Sequence, residues 1–444
     1  GDVLLSSTNG QVRLEAGSTI SAKGDDAQDG RVVVRAKAEK LQDGGQLQAT
    51  VTAGEYYAEA VQAYDIVAGD AAFLQTSKVE STGKITKVEI VGKDPKNAKN
   101  LIVRTSTGDG VKIERKVVKI DPVTGLKTES VELVSFGFKD GVKPTTSDKS
   151  VVATSNPKAE VKFNTPASVV TTSTIESDKV MVASVDVFDQ ANTMVADKAA
   201  WMDRLGMSAS GASKVDIRAG LELRSKTDIH LTEDWDLSRS AYAGASPIFL
   251  TLRAQNDIHV DGWLSDGFNG VKRSETATPT SLKGEGSSFR LVAGADLLAA
   301  DVMQTSALQA GSLTIAGGKG IRTTSGSIEL GASDNITLQP GKNDAEAQAV
   351  VYVAGLADAD SPRGTAWQQF THHGGRLELD AGGSVIAPAA LQGFGNWFLH
   401  TGSGNSDLAW ASSFDAFRQG VGSMGGGNVR VEAGQDIVNL GVVA

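Results

Sequence analysis

The sequence predicts an all-β chain built as a parallel β-helix, a solenoid that carries an inserted antiparallel β-module and one or two short helices. Three observations predict it: a short motif that recurs along the chain, glycine enrichment without proline, and a reversal of charge confined to one interior segment. The motif runs apolar, any, apolar, any, Ala-Gly, a polar step, then Ile or Leu. It reads VRLEAGSTI at 12–20, VDIRAGLEL at 215–223, FRLVAGADL at 289–297, SLTIAGGKGI at 312–321, RLELDAGGSVI at 376–386 and NVRVEAGQDIV at 428–438. Degenerate copies, LTLRAQNDIHV at 250–260 and SIELGASDNITL at 327–338, keep the alternation.

Each copy alternates with period two over four or five residues, the mark of a strand with one buried face. The Ala-Gly step allows a sharp bend with little side-chain volume at the corner, and the next Ile or Leu turns the chain inward. Ala293, Ala316 and Ala332 mark the closest-spaced copies, at two unequal intervals. A unit of about 20 to 25 residues cannot bury its apolar face alone, so successive units must stack, with parallel strands and ladders of Ile, Leu, Val and Ala inside. Propeller blades recur at about 40 or more residues and fit such close spacing poorly.

Composition narrows the function. The 444 residues include 50 Gly but only 10 Pro, which excludes a collagen-like or Pro-rich chain. Absence of Cys removes disulfide frameworks, thiolate zinc sites and cysteine nucleophiles. No apolar run reaches the roughly 18 residues of a membrane helix. The opening Gly1-Asp2-Val3 has neither the basic nor the apolar region of a signal peptide, so the chain reads as a fragment of a longer polypeptide. Its formal charge of −10 divides unevenly: residues 78–162 hold 17 Lys and Arg against 11 Asp and Glu, net +6, and the remainder is net −16.

These signals predict a first part of the β-helix at 1–75, a basic β-rich module at 76–182, a helical connection at 183–210, and a second part of the β-helix at 211–444 with an aromatic-rich elaboration at 366–421. Strands are expected in KITKVEIVG (84–92), VKIERKVVKI (111–120) and ESVELVSFGF (129–138), with DPVTG (121–125) as a hairpin turn. In 192–205, Met194, Trp201, Met202 and Leu205 have near-helical spacing, with Asn192 as N-cap and Gly206 as stop. Trp410, Phe414, Phe417 and Val421 also fall on one face of a helix.

Candidate ligand-binding residues are Lys84, Lys87, Lys112, Arg115, Lys116 and Lys119 on the module, as a face for anionic polysaccharide or lipid head groups, and Trp367, Trp397 and Trp410 as a sugar-stacking platform. The ordinary alternatives are lysines that guard strand edges and aromatics that fill a core. The near absence of aromatics among the module's basic residues argues against nucleic-acid binding. His372-His373 is the sole adjacent pair among five His, and neighbours on a strand point to opposite faces, so no metal is assigned. Asp228, Asp257, Asp296, Asp334 and Asp436 recur in the polar step. They read as turn residues that hydrogen-bond local backbone rather than as calcium ligands or paired catalytic carboxylates. No catalytic residue and no cofactor is assigned.

The Ala-Gly repeats, THHGGRLELDAGGSVI at 371–386 and GGGNVRVEAGQDIVNLG at 425–441 resemble the filamentous haemagglutinin family, large exoproteins of two-partner secretion in Gram-negative bacteria. The resemblance spans roughly two thirds of the chain. It implies a right-handed β-helix, export through an outer-membrane β-barrel transporter, and secretion or display at the bacterial outer surface. The expected function is therefore a non-enzymatic adhesin or biofilm-matrix segment that presents binding modules to glycans, exopolysaccharide or cell-surface receptors. A polysaccharide-active β-helix enzyme and the stalk of a contact-dependent inhibition toxin are the alternatives.

Overall fold

In the computed structural model, the described residues are 2–24, 30–41, 44–68, 71–75, 77–81, 88–94, 97–105, 111–120, 127–136, 174–177, 180–182, 195, 197–207, 211–231, 234–237, 247–268, 284–342, 347–356, 368–369, 371–389, 397–401 and 409–444. Within 65–136 and 174–182, and at 236, 368–369, 399–401, 409–411 and 415, the description is of backbone alone.

The chain is mostly strand, arranged in parallel sheets. Nine strands follow one another in the largest, first sheet: Val3–Ser6, Arg31–Lys37, Glu55–Ala68, Lys214–Ser225, Phe249–Ala254, Ser288–Ala293, Ile328–Ala332, Leu377–Ala381 and Val429–Ala433. From Lys214 onward the chain visits three sheets in rotation. Phe249–Ala254 is followed by Ile258–Val260 in a second sheet and Leu264–Ser265 in a third, and the next pass sets Ser288–Ala293, Leu313–Ile315 and Gly320–Thr323 beside them. Each pass cannot satisfy its own backbone, because parallel strands bond only to neighbouring layers.

The register explains why the motif recurs unevenly. Ala293 pairs with Ala332, and the copy around Ala316, between them in sequence, ends a strand of the second sheet instead. The intervals from Ala293 to Ala316 and from Ala316 to Ala332 are thus two sides of one pass. Along the first sheet the shortest pass leads from Val32 to its partner Tyr56; the longest leads from Tyr56 to its partner Val215 across the interior segment, and the longest of the others from Leu377 to its partner Val429. All but the shortest exceed the unit expected from the motif. The chain carries fewer, larger layers than the motif spacing implies.

In-register columns build the core. Leu223, Leu252, Leu291, Leu330 and Leu379 succeed one another on adjacent strands and are each at most 1% exposed. Ile229, Ile258, Leu313, Ile336 and Val385 make a matching column in the second sheet. Corners require glycine where layers approach closely. Gly294 has φ 63°, and a Cβ there would lie 1.9 Å from Ser333 Oγ; at Gly382 it would lie 2.3 Å from the Ser333 carbonyl oxygen. The Ala-Gly step at 219–220 behaves differently. Gly220 sits inside the strand Lys214–Ser225, which runs on without turning, and its missing side chain makes room for Glu59.

Within the interior segment expected as a module at 76–182, the strands between Ser77 and Phe136 pair antiparallel, whereas Thr174–Ser177 and Val180–Val182 pair parallel with Glu55–Ala68 and Ala71–Gln75 of the main sheets. Val111–Ile120 pairs with Lys127–Phe136 and with Ser77–Ser81, and Val88–Asp94 pairs with Asn97–Thr105. The hairpin turn at 121–125 lies outside the described residues. The helix forms at Lys198–Leu205, where Asp197 caps it by accepting from Ala200 N at 3.0 Å; Asn192, the predicted cap, is outside the described residues. Gly206 ends the helix at φ 86°, and Trp201 and Leu205 join the core. A second helix through Trp410 does not form. Ala409–Ser412 and Gly420–Ser423 are strands around a single 3-10 turn, Phe414–Ala416, because Val421 is claimed by a parallel ladder to Val351.

The columns make a direct prediction. Leu291→Ala should lower unfolding stability by about 2–5 kcal/mol in chemical denaturation, since neighbouring layers hold its cavity open. Leu308→Ala, at a side chain 98% exposed, should change it by less than about 0.5 kcal/mol.

Candidate functional site

Alternation in the first sheet predicted one buried and one solvated face, yet over the central strands both faces are buried, while Asp380, Arg430 and Glu432 on the last two strands stay exposed. The polar face carries Arg35, Glu59, Arg218, Glu222, Arg253, Arg290 and Glu329, each at most 6% exposed. Curling of the sheet into a half-barrel is the reason. Asp2 and Arg376 sit seven strand steps apart, about 34 Å along a flat sheet, yet Arg376 Nη1 donates to Asp2 Oδ2 at 2.9 Å. Arg31 likewise reaches Ser327 Oγ at 2.8 Å.

The excursion 295–311 helps to close this concavity. Val302 is fully buried, Met303 lies over Gly331, Arg253 donates to the Asp296 carbonyl oxygen, and Thr8 Oγ1 donates to the Ala299 carbonyl oxygen at 3.0 Å.

Ionised groups inside the curl alternate in one chain. Glu222 bridges Arg253 (3.0 Å) and Arg35 (2.5 Å). Glu59 bridges Arg35 (3.1 Å) and Arg290 (2.7 Å), and Glu329 bridges Arg290 (3.4 Å) and Arg376 (2.8 Å). Arg376 then reaches Asp2. Burial by itself raises the pKa of Glu222 and Glu329, but the flanking guanidiniums outweigh it and hold both below the ordinary 4.5.

At the N-terminal ends of these strands the curl opens into a groove of about 610 Å³. Asp2, Arg31, Glu55, Lys214, Arg218, Glu285 and Arg376 provide its charged lining, Tyr57 and Phe249 the aromatic part, and glycines at 374–375 and 425–427 one rim. The ionic groups are again mutually paired. Arg31 Nε meets Glu55 Oε2 at 2.9 Å, Lys214 pairs with Glu285 and lies 3.7 Å from Glu55, and Arg218 Nη2 meets Glu285 Oε2 at 2.6 Å. Burial pushes the Tyr57 phenol up, so it stays protonated and donates to Glu55 Oε1 at 2.7 Å. Although burial opposes it, Arg31, Tyr57 and Lys214 hold Glu55 below its ordinary value.

Of the residues singled out in the sequence, His373 lines this groove. Lys84, Lys87 and Trp367 lie outside the described residues. Lys112, Arg115, Lys116 and Lys119 occupy the strand Val111–Ile120, where period two gives Lys112 and Lys116 one parity and Arg115 and Lys119 the other; Arg115 stands opposite Glu132. Trp397 is 4% exposed and packs on Phe417 at 5.1 Å in an aromatic cluster with Phe268, Tyr352 and Phe414, so it is a packing residue. Trp410 lies on the strand Ala409–Ser412 as the partner of His400. His372 and His373 are not on a continuous strand. His373 has φ 52°, and the two rings meet at 4.7 Å.

The aspartates of the polar step bond mainly across layers. Asp257 Oδ1 accepts from Ser312 N at 2.7 Å, and Asp228 Oδ1 from Asp257 N at 3.3 Å; Asp296 makes the local bond, accepting from Leu298 N at 3.0 Å. Among the described residues, Asp228, His230 and His259 bring three metal-ligating side chains together, a cluster the sequence reading missed. The legible signal was Asp-Ile-His at 228–230 and again at 257–259, an offset equal to the one between Leu221 and its ladder partner Leu250. No protein-family model, curated protein or solved structure matches the chain.

Two outcomes follow for the ionic chain. Arg290→Met, which leaves Glu59 and Glu329 each short of a cation, should cost about 3–5 kcal/mol in denaturant titration. Acid should act through Glu222 and Glu329. Their folded pKa values lie below 4.5, so their stabilisation is complete above that pH and is lost as pH falls through the folded values. Thermal unfolding midpoints should fall steeply below about pH 4.5, and Glu222→Gln should flatten that dependence while lowering the midpoint at pH 7.

Proposed function

We propose that this chain is a right-handed parallel β-helix of the filamentous haemagglutinin type, a non-enzymatic adhesin or matrix segment that binds glycans through the groove at the mouth of its curled sheet. Rotation of successive strands among three parallel sheets supports the β-helix reading. The binding reading rests on one observation, the mutual pairing of the groove's charges.

A glycosidase or acid/base lyase needs a carboxyl held protonated, or a base left unpaired, beside the bond it cleaves. Glu55 and Glu285 instead each contact two cations, and the pairing of Glu55 depresses its pKa. Such groups serve as fixed donors and acceptors for hydroxyls and carboxylates. A groove of about 610 Å³ has the size of a small-ligand site and accommodates one or two sugar rings. In this reading the chain is carried through an outer-membrane β-barrel transporter and acts at the bacterial surface or in the surrounding matrix. Among the described residues no helix is long and apolar enough to cross a membrane.

Purified chain should bind immobilised acidic exopolysaccharide or host glycans without releasing reducing or unsaturated ends. Asn428→Trp, at an exposed position on the groove's rim, should occlude the groove and weaken binding about tenfold or more. Product release, or full binding by the occluded variant, would overturn this assignment.

A further inference from the structure

We infer that Asp228, His230 and His259 form a binding site for one divalent transition-metal ion of the zinc class, distinct from the groove and independent of the glycan-binding reading. The three residues lie on adjacent layers of the second sheet. Asp228 and His230 are two positions apart on the strand Asp228–Leu231, so they share its face. His230 and His259 are in-register partners, and their rings stack at 4.4 Å with 19° between planes. One ligand atom from each of the three residues can be chosen so that all lie within 4.8 Å of one another.

Imidazole and carboxylate together are the donor set that zinc, cobalt and nickel favour. Bonds of about 2.0–2.2 Å to a common ion put donors about 3.4 Å apart. Donors within 4.8 Å of one another therefore need to close by at most about 1.4 Å, and because the rings now lie nearly parallel, one must turn about its χ2 torsion to direct a nitrogen at the shared ion. His259 and Asp228 are half-buried and give access from solvent, whereas His230 is 5% exposed and held by the ladder.

A further carboxylate stands near the group. Asp261 Oδ2 lies 3.9 Å from His230 Nδ1, placed either to orient that ring or to supply a fourth ligand. Asp228 Oδ1 accepts from Asp257 N at 3.3 Å, which ties the carboxylate to the layer that carries His259. Metal bound here joins two passes of the chain through side chains as well as backbone. It should therefore stabilise the fold as any ligand of the native state does.

The test uses the full chain, stripped with a chelator and titrated at neutral pH with Zn²⁺ by calorimetry and with Co²⁺ by visible absorption. One equivalent should bind, with the d–d bands of a nitrogen- and oxygen-ligated low-coordinate site and a rise in the thermal unfolding midpoint. His259→Gln and Asp228→Asn should each weaken binding about tenfold or more and abolish the thermal rise. A His372→Gln/His373→Gln double variant should retain both. Circular dichroism checks that the variants fold, and the half-buried Asp228→Asn decides the matter if His259→Gln does not. Absence of stoichiometric binding, or binding unchanged by Asp228→Asn, overturns the proposal. Neither result bears on glycan binding, which is scored separately with chelated protein.

Discussion

The alternating chain of buried charges from Arg253 through Glu222, Arg35, Glu59, Arg290, Glu329 and Arg376 to Asp2 is the constraint on which the rest of the structure depends. A flat sheet would expose these side chains to water, where paired charges contribute little. Curling removes the water, and each ion then carries a desolvation cost that only several well-placed partners can offset. Every glutamate in the chain touches two guanidiniums. No single pair closes the concavity; the series does, because it links strands that are far apart in the sheet order. This arrangement favours one curvature over others, since a change in curl would separate several pairs at once.

Curvature in turn determines where the concavity opens. One side of the concavity is closed by the excursion 295–311, where Val302 is buried and Met303 lies over Gly331. At the strand N-termini the glycine rims at 374–375 and 425–427 leave the groove open. Tyr57 and Phe249 lie at the junction of the two regions. Arg218 sits 4.3 Å from the Tyr57 ring centroid and Arg290 sits 4.8 Å from that of Phe249, so the aromatic floor is itself covered by cations. The groove thus presents hydrogen-bonding groups over a rigid ionic base.

Much of the architecture was legible because stacking leaves a local trace. Alternation identifies strands, and repeated Ala-Gly steps identify corners where Gly294 and Gly382 meet the neighbouring layer. Pass length was not legible, since the corners of two different sheets have the same local chemistry, as Ala293 and Ala316 demonstrate. Burial of the polar face was hidden for a different reason. Arg218 and Glu222 occupy the outward positions of an ordinary half-buried strand, and their partners Glu285 and Arg35 are distant in the chain. Only the curl, a property of the whole sheet, brings them together. The helix expected through Trp410 failed on similar grounds, because the spacing of Trp410, Phe414 and Phe417 is equally served by a strand, a 3-10 turn and an aromatic cluster.

The same logic governs which side chains acquire unusual surroundings. Lysines and clustered tryptophans attract notice in a sequence, yet Trp397 is consumed by packing, and Arg115 is the register partner of Glu132. Groups with unusual surroundings are instead created by register. Pairing offset by one pass sets His230 on His259, and curl sets Lys214 beside Glu285. In a stacked parallel fold a side chain's neighbours are fixed by the length of the intervening pass. Residue type alone therefore says little about chemistry, and an insertion within a corner loop can preserve every neighbour while a one-residue slip within a strand would exchange the ionic face for the apolar one.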